Sequence, residues 1–206
     1  MYKNRNIHHI LLDAGYSMQP GSDTAIGTCE ALLERFRAEA AREPETEVLV
    51  GLSLFTDTLQ TLYHYRPPAE AALPDTDGYF TDGDSALYRV FHVLVDGLET
   101  QWLESQAVLP TLMSLHTVTD GIDTASEHTG PAEMLLLVER LKATGEWTFR
   151  FHGTDLDSLV SDAIIAIRRR YRLPEEKKLL CQALCDFFST DERRPPSSGI
   201  PSHSGG

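Results

Sequence analysis

An apolar run near the start of the chain ends on an aspartate. Residues Ile7 to Leu12 are apolar except for His8 and His9, and Asp13 follows directly. A short apolar run of this kind, bounded by a turn, is typical of a buried strand in a parallel sheet. Open α/β sheets bind ligands at the carboxyl ends of their strands, which is where Asp13 would lie. The run therefore predicts both a central strand and one corner of a ligand site.

Apolar runs and helix-like patterns alternate along the rest of the chain. This alternation predicts an α/β fold, a doubly wound and mostly parallel sheet with helices on both faces. Residues 59–65 follow a short turn at Asp57 and Thr58, so we expect them to form one antiparallel edge strand. The predicted strands are residues 7–13, 47–56, 59–65, 108–119 and 147–153, and the predicted helices are residues 24–42, 85–104, 131–144, 156–170 and 175–188.

The length of 206 residues and a hydrophobic content of 41% are sufficient for one α/β domain with a real core. We place this domain at residues 1–172 and a helical extension at residues 173–190. Residues 191–206 are rich in Pro, Ser and Gly, and they carry too little apolar surface to offset chain entropy. They are predicted to be a disordered tail.

The charge and the apolar pattern limit the classes of partner and the location. A net charge of −13 disfavours nucleic acid and anionic membrane surfaces as partners. No stretch approaches the roughly 20 apolar residues of a membrane-spanning helix, and the first apolar run is too short for a signal peptide. Three cysteines do not make a disulfide framework in a chain of this length. The sequence therefore predicts a cytoplasmic protein.

Three polar loops would meet at the carboxyl edge of the predicted sheet. The first contains Asp13 and Ser17, the second contains Ser85, and the third contains Asp120. Two carboxylates and two hydroxyls form a set of oxygen ligands only. Such a set suits Mg²⁺ or Mn²⁺, whereas zinc prefers cysteine and histidine. The alternative is a structural role without a metal, because Ser and Asp are also favoured at helix starts.

The order of these motifs resembles the von Willebrand factor A domain family, in its bacterial form. Asp13 to Ser17 is similar to the Asp-x-Ser-x-Ser motif of the family, and residues 83–88 are similar to Gly-x-Thr-x-Leu-Tyr, with Ser85 at the Thr position. Residues 118–124 resemble the Thr-Asp-Gly segment that contains Asp120, and residues 147–154 resemble the last strand. The resemblance covers residues 6–168.

The resemblance implies a metal-ion-dependent adhesion site. In that interpretation Asp13, Ser17, Ser85 and Asp120 would hold Mg²⁺ or Mn²⁺ at the top of the sheet. Gly15 stands where the family has a ligating serine. The lost oxygen implies weaker metal binding, and Gly15→Ser is expected to tighten it.

The resemblance also implies a protein-binding function without bond-breaking chemistry. A partner would supply an Asp or Glu to the metal, in a system that includes an ATPase. The rim that contacts this partner is expected to comprise Tyr16, Tyr79, Tyr88 and Asp123. Two alternatives stay open at this point. One is a Mg²⁺-dependent hydrolase, similar to a phosphatase, with Asp13 as nucleophile, and the other is a scaffold that uses the fold without a metal.

Overall fold

The computed structural model describes residues 2–74, 79 and 81–153. Within them, strands and helices alternate as the apolar pattern predicts. The predicted helices over residues 156–170 and 175–188, the domain boundary at residue 172 and the tail over residues 191–206 lie outside the described residues. The elements are β1 (Asn4–Asp13), α1 (Ser22–Arg42), β2 (Thr46–Phe55), β3 (Leu59–Arg66), α2 (Leu87–Gln106), β4 (Thr111–Val118), α3 (Pro131–Lys142) and β5 (Trp147–His152).

The five strands form one sheet in the order β3-β2-β1-β4-β5. β1 is parallel to both β2 and β4, and β4 is parallel to β5. β3 is antiparallel to β2 and lies at the edge, as predicted for the segment after the hairpin turn. The chain leaves β1 on one side to reach β2 and later returns to the other side of β1 as β4. The strand order therefore reverses between β1 and β4, and ligand crevices of α/β sheets form at such a point.

The helices cover both faces of the sheet, which confirms the doubly wound class. Side chains alternate between the faces along β1 because successive residues of a strand point in opposite directions. Ile10 and Leu12 pack with α1, where Phe36 is fully buried. Leu11 points to the opposite face and packs with α2 and α3, where Phe91 is fully buried. β1 is thus covered on both sides, which fixes the position of its carboxyl end.

Several predicted boundaries differ from the structure by one to three residues, and the starts of β4 and α2 have a clear physical cause. β4 begins at Thr111 rather than at residue 108, because Pro110 has no N–H for a sheet and the N–H of Val108 still donates to the carbonyl of Ser105 at the end of α2. α2 begins at Leu87 rather than at residue 85. The N–H of Ser85 donates to the hydroxyl of Thr124 instead, so Ser85 belongs to the loop before the helix.

Gly51 in β2 leaves room for a buried histidine on the neighbouring strand. A β-carbon at Gly51 would lie 2.3 Å from the carbonyl oxygen of His64 and 2.4 Å from Nδ1 of His9. The ring of His9 is 1% exposed, and its Nε2 pairs with the Ser53 hydroxyl at 2.9 Å. Burial lowers the pKa of His9 to about 3, so the ring is neutral in the folded protein. Glycine is therefore required at this position by the contact between β1 and β2.

None of the helices in the described part of the chain is both long and apolar enough to cross a membrane.

Candidate metal centre

Three loops converge where β1 and β4 end. The loop after β1 joins the loop before α2 through a hydrogen bond of 2.9 Å from the N–H of Tyr16 to the carbonyl of Gly83. The 3₁₀ helix Tyr16–Gly21 that follows β1 contacts the loop after β4, since the N–H of Asp120 donates to the Met18 sulfur at 3.2 Å. The three predicted polar loops therefore meet at one edge of the sheet.

Asp13 lies at the centre of this junction and is fully buried. Its Oδ1 accepts the N–H of Gly15 at 2.8 Å. Its Oδ2 accepts the hydroxyl of Thr119 at 2.6 Å and that of Ser85 at 3.3 Å. One carboxylate thus connects all three loops and orients two hydroxyl groups.

The pKa of Asp13 is raised to about 6, chiefly by burial and to a smaller extent by the negative charge of Asp120. The hydrogen bonds from Thr119, Gly15 and Ser85 lower the pKa and only partly compensate. The carboxylate is ionised at neutral pH at a cost in free energy, because no positive side chain among the described residues offsets its desolvation. A bound cation would remove that cost.

Asp120 faces the same junction from the end of β4. Its Oδ1 accepts the N–H of Ile122 at 2.9 Å, which folds the loop back on itself. The carboxylate is partly exposed, in contrast to that of Asp13. The two aspartates therefore differ in environment: Asp13 is fully buried at the end of β1, and Asp120 is partly exposed to solvent after β4.

The hydroxyl oxygen of Ser17 is buried and has no hydrogen-bond partner among the described residues. Buried polar groups are almost always paired, because an unpaired one costs about 1 to 3 kcal/mol. Ser17 lies in the 3₁₀ helix beside Met18, whose sulfur contacts Asp120. Ser17 is also a residue that the sequence predicts to be a metal ligand.

The donor set depends on hydroxyl groups. No three His, Cys, Asp or Glu side chains converge on a point that could hold a metal within residues 2–74, 79 and 81–153. The centre instead contains two carboxylates and hydroxyl oxygens. Oxygen donors of this kind match a small hard cation rather than zinc.

Gly15 is tightly enclosed. A β-carbon there would lie 3.0 Å from Cβ of Ser85 and 3.1 Å from Oδ1 of Asp13. The backbone of Gly15 has φ −66 and ψ 156, which any residue adopts. A serine at this position is therefore opposed by crowding and not by backbone strain. Ser85 fills part of the space that a longer side chain at position 15 would need.

Thr119 is a further residue of the site that was not among the ligands predicted from the sequence. Its hydroxyl makes the shortest of the bonds to the Asp13 carboxylate and also accepts the N–H of Gly121 at 3.0 Å. The residue is fully buried. The available signal was its place immediately before Asp120, at the predicted end of a strand beside β1.

The prediction that Tyr79 belongs to an exposed rim is wrong. Tyr79 is 7% exposed, and its hydroxyl donates to the backbone carbonyl of Asp13. A buried carbonyl needs a donor, and the phenol provides one at the end of β1. Tyr79 supports the site from inside the protein.

The other predicted rim residues differ in exposure. Tyr16 is 65% exposed, whereas Tyr88 is half-buried and packs against the core. The carboxylate of Asp123 accepts the N–H groups of Tyr88 at 2.9 Å and Ser126 at 3.0 Å. It thereby satisfies an otherwise unpaired N–H at the start of α2. Asp123 holds the loop against the helix, and Tyr16 is the member of the set that is free to touch a partner.

No protein-family model matches the chain, and no curated protein sequence matches it. Among solved structures, it is similar to the VWA domain of SpRpn10, with a TM-score of 0.52 and 15% identity over 77% of this chain and 82% of that one. It is also similar to proximal thread matrix protein 1 from the mussel byssus with a zinc-occupied MIDAS motif (TM-score 0.41, 14% identity, 77% and 39% of the two chains). A third is an aerotolerance-related membrane protein from Bacteroides fragilis (TM-score 0.37, 12% identity, 70% and 65% of the two chains).

The similarity to the SpRpn10 domain extends over most of both chains and agrees with the sheet order and the helices on both faces. The lower TM-scores of the other two structures add no weight. The chain has the fold of a von Willebrand factor A domain.

Proposed function

We propose that the protein is a divalent-cation-dependent protein-binding module. Mg²⁺ or Mn²⁺ would be held by Asp13, Ser17, Ser85 and Asp120, and a carboxylate from a protein partner would complete the coordination. The observation that carries this proposal is the buried hydroxyl of Ser17, which has no partner among the described residues and belongs to the 3₁₀ helix that contacts the backbone of Asp120 through Met18.

The residues present fit such an ion. Asp13 is buried as a carboxylate, and Asp120 is close enough to raise its pKa further, so the centre has negative charge that no described cation neutralises. Mg²⁺ keeps several waters in most protein sites and needs only one or two carboxylates. Two aspartates and two hydroxyls are therefore sufficient, even though Gly15 offers no side-chain ligand.

Binding is favoured over hydrolysis by the environment of Asp13. A carboxylate nucleophile must reach the substrate, but both oxygens of Asp13 accept hydrogen bonds and the residue is fully buried. The alternative of a phosphatase with Asp13 as nucleophile is therefore less well supported than a role in holding an ion. The cytoplasmic location and the association with an ATPase system stay predictions of the sequence.

A thermal melt tests the proposal. The protein is melted in EDTA and then with increasing Mg²⁺ or Mn²⁺, beside Asp120→Ala and the control variant Asp82→Ala. Binding to the folded state alone stabilises it by about 1.4 kcal/mol at an ion concentration ten times the dissociation constant. We expect a concentration-dependent rise in wild type and in Asp82→Ala, and none in Asp120→Ala.

If no variant responds to either ion, the protein has no functional metal centre. A scaffold without a metal would then be the better-supported function, and EDTA would not change binding of a partner. If wild type and Asp120→Ala respond equally, an ion binds elsewhere and the proposed ligands are wrong.

A further inference from the structure

Three histidines from neighbouring strands lie on the face of the sheet that α1 covers. His8 belongs to β1, His116 to β4 and His152 to β5. The ring of Phe36 in α1 stacks on His8 with 4.1 Å between centroids, and it meets His116 edge-on at 5.3 Å. His8 is 8% exposed and His116 is 2% exposed. This histidine cluster (His8, His116 and His152) is therefore part of the contact between α1 and the sheet.

A hydrogen bond joins His116 and His152. Nδ1 of His116 lies 3.2 Å from Nε2 of His152, and the planes of the two rings are nearly parallel, at 10°. Such a bond needs a proton on one of the two nitrogens and a lone pair on the other. It persists when the pair holds one positive charge, because the cationic ring then donates to the neutral one. If both rings are cationic, both nitrogens carry a proton and the bond is lost.

His8 differs from this pair because it has a carboxylate partner. Nε2 of His8 lies 3.2 Å from Oε1 of Glu39 in α1, and the same oxygen accepts the side-chain amide of Asn6 at 2.7 Å. The hydrogen bond with His8 is the main cause that lowers the pKa of Glu39 below its ordinary value. A proton on His8 would complete an ion pair with this carboxylate, so it would keep β1 in contact with α1.

The titratable and charged groups that face His116 oppose its protonation. Among the described residues they are His8 from β1, Arg35 from α1, and Arg150 and His152 from β5. The pKa of His116 is held well below its ordinary value of 6.5, chiefly by burial and also by these groups. The folded state therefore binds a proton at His116 more weakly than the unfolded state does. Stability then falls as the pH drops below 6.5.

We propose that the histidine cluster is an acid-sensitive contact, which holds β4 and β5 against α1 at neutral pH and loosens β5 when a second proton enters the His116–His152 pair. In the described sheet β5 is an edge strand that pairs with β4 alone, so it is the strand that the lost bond releases. The contact works without a bound ion and is separate from the proposed metal-dependent function.

Urea unfolding of the full chain in EDTA, from about pH 7 to about pH 5, tests this inference. His116→Phe keeps a ring beside Phe36 but cannot take up a proton. His128→Gln, at an exposed histidine outside the cluster, is the control. For each pH unit below 6.5, the equilibrium constant of unfolding should rise by up to about tenfold more in wild type than in His116→Phe. His128→Gln should follow wild type, and the buried groups His9 and Asp13 titrate alike in all three proteins.

Hydrogen exchange locates the loosening within the sheet. After correction for the intrinsic effect of pH, the β5 amides of wild type should lose protection at the acidic end while those of β2 keep it. His116→Phe should show the same β5 protection at both ends. Proton–nitrogen NMR spectra of the histidine rings test wild type without a variant, because a second proton should enter the pair only when the β5 signals change. Equal pH dependence in wild type and His116→Phe, unchanged β5 protection, or two cationic rings with native β5 signals would overturn the inference.

Discussion

The hydroxyl of Thr119 donates to Oδ2 of Asp13 at 2.6 Å, and this bond joins the carboxyl ends of β1 and β4. Both residues are fully buried, so the bond is formed away from water. It lies where the strand order of the sheet reverses. The orientation of the central carboxylate is therefore set by a neighbouring strand as well as by its own loop.

Thr119→Val should destabilise the protein and weaken ion binding. The change leaves the N–H of Gly121 without its acceptor and removes the shortest bond to the Asp13 carboxylate, at a cost of about 1 to 3 kcal/mol. Thr119→Ser is the matched control because it keeps the hydroxyl. Urea unfolding in EDTA and in Mg²⁺ measures both effects. A Val variant as stable as the Ser variant would show that the bond does not matter.

Asp13→Asn should stabilise the metal-free protein at neutral pH. Folding raises the pKa of Asp13 from 3.8 to about 6, so the folded state binds a proton more tightly than the unfolded state. Stability therefore falls as pH rises between these values, and above them the carboxylate costs about 3 kcal/mol. Melts in EDTA should show a larger gain for Asp13→Asn at neutral pH than near pH 4. Equal gains at both pH values would contradict the assignment of the cost to ionisation.

Gly15→Ser and Gly15→Ala separate crowding from ligation. Both variants place a β-carbon 3.0 Å from Cβ of Ser85, so both should lose about 1 to 3 kcal/mol in EDTA. The serine hydroxyl is an added ligand, so Gly15→Ser should bind Mg²⁺ more tightly than Gly15→Ala. The ion-dependent rise in melting temperature measures this difference. Identical rises would mean that the loop does not direct residue 15 toward the ion.

Gly51→Ala should destabilise the protein by at least about 1 to 3 kcal/mol, because its β-carbon would meet the carbonyl of His64 at 2.3 Å. Gly97→Ala is the control. Gly97 lies in α2 with nothing within 4 Å of a β-carbon, so alanine should stabilise the helix by about 1 kcal/mol. Thermal unfolding compares the two. A neutral Gly51→Ala would show that β2 and β3 can separate at low cost.

The sequence predicted the sheet, the edge strand and the convergence of the three loops. Apolar periodicity fixes which segments are strands, and parallel strands place Asp13 and Asp120 at one edge. The first residues of β4 and α2 were misplaced because the loss of an N–H at Pro110 and the bond between Ser85 and Thr124 are invisible to periodicity.

The buried hydrogen bonds around Asp13 could not be read from the pattern. Tyr79 lies between segments without periodicity, so nothing in the sequence pairs its hydroxyl with a carbonyl 66 residues away. The crowding of Gly15 by Ser85 depends on a distance of 3.0 Å between loops far apart in the chain. Contacts of this kind follow from tertiary packing and require the folded structure.

Binding of Mn²⁺, followed by the electron paramagnetic resonance signal of the free ion, tests the metal centre most directly. Wild type is compared with Ser17→Ala, which removes the buried hydroxyl, and with Ser126→Ala as a serine control outside the predicted ligand set. We predict one ion per chain in wild type and in Ser126→Ala, and clearly weaker binding in Ser17→Ala. Undiminished binding in Ser17→Ala, or no binding in wild type, would contradict a metal centre at the end of β1 and β4.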